Sequence, residues 1–128
     1  MRRLLGLSLL AVSTLMAIPG RTPGQSAFRA PAVLMITFLN RTQQIAYAVG
    51  MSDWKKLKTE AEGLAGAAAA YAQIVPPGIP MGKMLKAFRE DVDGLIRAAE
   101  SRDLEAIGRS FGRIEAGCLD CHKRYRDL

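Results

Sequence analysis

The chain predicts an all-α fold, an antiparallel four-helix bundle, and three observations carry that expectation. Its 128 residues are 49% hydrophobic but only 6% aromatic, a mixture rich in Ala that suits helices better than sheets. Breaks at Gly50 with Met51-Ser52, at Pro76-Pro77-Gly78-Ile79-Pro80 and at Ser101-Arg102-Asp103 leave four segments. Within each segment apolar residues return every three or four positions, the period of one buried helix face rather than of a strand.

The chain opens on a segment to set aside. Arg2 and Arg3 precede an apolar run from Leu4 to Ile18, and Pro19, Gly20, Pro23 and Gly24 end it before the small residues Ser26 and Ala27. A positive start, an apolar middle and a small-residue exit predict a secretory signal peptide over 1–27. Cleavage is expected after Ala27, with Gly20 as the rival position. The run is short for a bilayer core that takes about 20 residues, so no stable membrane anchor is expected after cleavage. The rest, 28–128, is of the size of one helical domain.

The first segment of that domain carries Met35, Phe38, Thr42, Ile45 and Val49 on one stripe. The second carries Trp54, Leu57, Ala61, Leu64, Ala68, Tyr71 and Val75, and the third Met81, Leu85, Phe88, Val92, Leu95 and Ala99. The fourth runs Leu104, Ile107, Phe111, Ile114, Cys118, Cys121 and Tyr125, so both cysteines continue a core-facing seam. Short connections make successive helices antiparallel. Gly63, Gly66 and Ala67–Ala70 read as a small-residue face allowing close approach, and Trp54 as packing under the first turn.

Charge narrows the function classes. The formal charge of +6 falls to +3 without residues 1–27, leaving 15 Lys and Arg against 12 Asp and Glu. These are interleaved, so no nucleic-acid partner is expected. Lys55, Lys56 and Lys58 read as a solvated edge that could also steer an acidic redox partner.

The run Cys118-Leu119-Asp120-Cys121-His122 is a C-x-x-C-H, the attachment signature of haem c. Two thiols three positions apart can each add to one vinyl group of a single porphyrin, and the next residue brings an imidazole to the iron. The sole His of the chain falls directly after the second Cys. A redox disulfide would want a βαβ context and a helix N-terminus, whereas this motif ends a helix. Structural zinc needs four ligands, more than two Cys and one His supply. One covalent haem c near the C-terminal end of the last helix is therefore expected, and export agrees with it, because such proteins mature outside the bacterial cytoplasm.

The run from Cys118 to Arg126 resembles the C-x-x-C-H-x-x-Y-R ending of the cytochrome c′ family, and Phe88, Leu95, Ala98, Ala99, Asp103 and Phe111 resemble the pattern of its last two helices. The resemblance is closest over 81–127, less over 52–75 and least over 31–50. It implies a four-helix bundle exported to the periplasm, thioethers at Cys118 and Cys121, His122 as proximal ligand and Arg126 near the proximal imidazole. It also implies a homodimer through the first two helices.

The distal side of the iron is the open question. The resemblance puts the distal residue at Leu34 or Met35, and Met35 starts its helix at the end where the fourth helix finishes. Met81 and Met84 lie at that same end, and Met51 at the other. Met35 is the expected sixth ligand, with Leu34 and Phe38 lining the distal pocket. Two function classes follow. A His/Met iron makes an electron carrier for redox partner proteins. A five-coordinate iron under an apolar Leu34/Phe38 lid instead binds a diatomic gas, nitric oxide or carbon monoxide. Enzymatic activity is not expected, since no second His or distal Arg is present to act on a peroxide.

Overall fold

The computed structural model describes residues 30–125; the expected signal peptide and Arg126 lie outside them. Four helices follow in order: α1 (Ala32–Gly50), α2 (Trp54–Ile74), α3 (Met81–Ser101) and α4 (Leu104–Tyr125). They pack as an antiparallel bundle, the fold the periodicity predicts.

Two of the three turns share one design. Ser52 and Arg102 both take the left-handed conformation at φ 54°, and each is followed by an Asp that caps the next helix. Asp53 accepts from the backbone N–H of Lys56 at 3.0 Å, and Asp103 from that of Ala106 at 3.0 Å. The backbone N–H groups of Asp53 and Asp103 donate back to Ala48 and Ala98, satisfying carbonyls at the ends of α1 and α3. The first break thus falls later than Gly50, which is the last residue of α1. The third turn is a proline loop in which Gly78 takes φ 86°. Pro80 sits at the N-cap of α3, where a missing N–H costs nothing.

Packing is serial: α1 lies on α2, α2 on α3, and α3 on α4. No Cα of α1 comes within 8 Å of one of α4, so these two helices approach each other less closely than the successive pairs do. The main core gathers Ile45 and Ala48 from α1, Leu57, Ala61, Leu64 and Ala68 from α2, and Phe88, Val92, Leu95, Ala98 and Ala99 from α3, with Ile107 and Ile114 from α4. A second, smaller cluster occupies the other end. Tyr71, Met81 and Leu85 form its buried centre, with Ala30, Leu34, Met35, Phe38, Val75, Ile79 and Tyr125 packed around them.

The stripe of α3 is buried as expected and so is that of α2 save for half-buried Trp54 and Val75 at its ends, while those of α1 and α4 are buried only in part. Leu104 is 64% exposed, because the first residue of α4 projects beyond its neighbours. Met35, Phe38, Thr42 and Val49 on α1 and Phe111, Cys118, Cys121 and Tyr125 on α4 are half-buried, these two outer helices approaching each other less closely. Trp54 is half-buried against the main core. Gly63 does permit a close approach, by a side chain: a Cβ there would fall 2.8 Å from the Arg41 guanidinium, which pairs with Glu60 at 2.6 Å. Gly66 faces open space instead.

Candidate functional site

The last two turns of α4 carry the chemistry. At 3.6 residues per turn, Cys118 and His122 sit about 40° apart around the helix. Both cysteines are free and half-buried, while His122 is exposed, with no hydrogen-bond partner among the described residues. An imidazole with both nitrogens uncommitted is available as a ligand. His122, Lys123 and Arg124 in the last turn also suit the negative end of the helix dipole.

Burial governs the two thiols. It is the main cause pushing the Cys118 pKa up, with Cys121 and Glu115 adding to it. For Cys121 burial again comes first and the Asp120 carboxylate second. Both are held as neutral thiols, opposite to the thiolate that disulfide exchange needs. Among the described residues no three His, Cys, Asp or Glu side chains gather to hold a metal ion. Two neutral thiols and a single imidazole therefore suit a metal that arrives with most of its ligands in place, as a porphyrin iron does.

The facing wall belongs to α1. Leu34, Met35 and Phe38 are half-buried in the second cluster, which also holds Tyr125, one turn beyond Cys121. The Phe38 ring meets Tyr71 edge-on, centroids 6.2 Å apart at 86°, and lies 5.5 Å from the Phe88 ring. Phe88 reaches under α4 because Gly117 has no side chain: a Cβ there would stand 3.3 Å from the Phe88 ring.

The methionines separate by position. Met35 packs half-buried against the second cluster. Met51 is 62% exposed in the α1–α2 turn, at the opposite end, and Met81 is 1% exposed, a core residue of the second cluster. Met84 is half-buried on α3. Two residues escaped the sequence reading as parts of this site. Gly117 carries no periodic signal. Tyr71 lies on the α2 stripe, and only its hydroxyl, which a core must satisfy, hints at more than packing.

An all-α bundle with this turn at the end of its last helix defines a class, the c-type haem proteins of helical build. The family model of cytochrome C′ matches residues 80–126, which are α3 and α4 with the motif included. No curated protein and no solved structure matches the chain. The family match supports a c-type haem protein. No helix among the described residues is long and apolar enough to cross a membrane.

Proposed function

We propose that the protein is an exported, mono-haem c-type cytochrome that carries electrons and is not an enzyme. Cys118 and Cys121 hold one haem covalently, each S–H adding across a vinyl C=C, a step that needs no oxidant. His122 is the proximal ligand of the iron and Met35 the sixth. The bound haem supplies a one-electron iron centre. Met35 offers a neutral thioether that favours the ferrous state, and Leu34 and Phe38 keep water from the distal face. One observation supports the reading. Met35 of α1 and Tyr125, three residues after His122 on α4, pack against one and the same apolar cluster.

A second reading has its own support. Leu34 and Phe38 belong to that same cluster, so an apolar cap stands ready if the thioether does not bind. Five-coordinate iron there takes up nitric oxide or carbon monoxide. A homodimer is part of the proposal too, as α1 exposes Val33, Ile36 and Tyr47 and has Arg41 as its one charged residue, already paired with Glu60. Redox partner proteins complete the set of partners, and export rests on the signal peptide over 1–27.

The experiment is direct. Denatured protein should keep its haem through acid-acetone extraction, and Cys118→Ala with Cys121→Ala should release it. Freely extracted wild-type haem sinks the proposal. Met35→Ala should turn a low-spin ferrous spectrum high-spin and admit carbon monoxide rapidly, while Met51→Ala leaves it alone. A wild type already high-spin favours the gas-binding reading. Periplasmic protein should begin near Phe28.

A further inference from the structure

Neither α3 nor α4 brings a Cα within 8 Å of one in α1, so side chains decide how far α1 stands from both. Two rings do this near the cysteine turn. Phe38 of α1 reaches Phe88 of α3, ring centroids 5.5 Å apart and planes tilted by 33°. Phe38 packs against both apolar clusters, the one described residue to do so, and Phe88 is 8% exposed within the main core, against which Cys118 also packs. Phe88 in turn lies under α4 at Gly117, the residue directly before Cys118. A Cβ at Gly117 would stand 3.3 Å from the Phe88 ring, tighter than side chains ordinarily pack. The backbone of α4, Phe88, Phe38 and α1 therefore form one chain of contacts, and close-packed interiors pass small displacements along such chains.

We propose that the Phe38–Phe88 pair is a spacer that sets how far α1 stands from the cysteine turn, and so whether the Met35 sulfur reaches an iron held by His122. The inference deepens the Met35 reading above and rests on it. Met35 precedes Phe38 by three residues, about one helical turn, so a displacement of Phe38 carries Met35 with it. Two ligands on different helices serve one metal only when their supports hold them to within about 0.5 Å. Phe88 and Gly117 are positioning residues in this scheme: they act on the iron through Phe38 and Met35. The bare backbone of Gly117 has a role as well, since a methyl group there would drive Phe88 toward its neighbours.

Two single changes and their combination test the spacer on the haem-bearing protein. Gly117→Ala lengthens the chain of contacts by a methyl group, and Phe88→Leu shortens it. Each alone should turn part of a low-spin ferrous spectrum high-spin and speed the binding of carbon monoxide. Together they compensate, because the added methyl fills room that the lost ring leaves, so the double variant should return toward the wild-type spectrum and rate. Gly112→Ala is the control: a Cβ there meets nothing within 4 Å, and the spectrum should stay as it is. An unmoved spectrum in either folded, haem-bearing single variant overturns the proposal, and so does a double variant no closer to wild type than the singles. Should one single variant fail to fold, the other decides. Failure of the underlying reading is distinguishable: a wild type already high-spin, or a folded Met35→Ala that stays low-spin, removes Met35 as ligand and the spacer with it.

Discussion

The two ends of the bundle solve different problems with the same four helices. At the end of the two Asp-capped turns, Ile45, Ala48, Leu57, Ala61, Leu95 and Ile114 are closed off from solvent or nearly so. At the other end the apolar residues of α1 and α4 stay half-exposed, and the cysteine turn sits among them. The closed end is where burial stabilises the chain. The open end leaves apolar side chains of α1 and α4 that the fold alone covers only in part.

The sharpest way to break the comparison is a pair of core truncations. Leu64→Ala, in the closed end, should cost about 2–5 kcal/mol of unfolding free energy in urea titrations. Met35→Ala, in the open end, should cost about 1–2 kcal/mol in the haem-free chain, since a half-exposed side chain leaves little cavity. Equal losses would mean that Met35 is packed as closely as Leu64 in solution.

Alkaline pH probes the open end by another route. Burial pushes the Tyr71 pKa up from 10 to about 12, with Cys121 and Tyr125 adding to it. The folded state therefore holds this proton where the unfolded chain gives it up. The contribution of this group is full below pH 10 and is lost as the pH rises toward 12. Tyr71→Phe should lessen the alkaline decline in thermal melts taken across the range, the two thiols supplying the rest, and an undiminished decline would assign it to other groups.

The smallest expected effects concern two glycines of α4. A Cβ at Gly112 meets nothing within 4 Å, so Gly112→Ala should stabilise by about 0.5–1 kcal/mol through helix propensity. At Gly117 the same methyl presses on the Phe88 ring, and that gain should be cancelled or reversed. Equal stabilisation by both would show that Phe88 moves freely under the cysteine turn.

The helices and the motif were legible in the sequence for separate physical reasons. The stripes of α2 and α3 show because those helices have packed neighbours on both sides, so a wide apolar face is required. The C-x-x-C-H shows because its spacing is dictated by a porphyrin rather than by the fold. Ala48 and Ser110 are buried yet went unread, since small side chains add little to periodicity. The left-handed turn residues were hidden as well, because Ser52 and Arg102 stand where glycine is usual. Leu104 keeps the period but lies past the end of the packing. The wider separation of α1 and α4 was out of reach altogether, for periodicity tells which face of a helix is buried and not which helix buries it.

The serial packing has a consequence for assembly. Each helix rests on the one made just before it, and no close backbone approach between the first and last helices has to be found. The contacts are short-range in sequence, a topology associated with folding in microseconds to milliseconds rather than seconds. A growing chain can thus stack helix on helix as it emerges, and the last turn, with its two thiols, is delivered at the end.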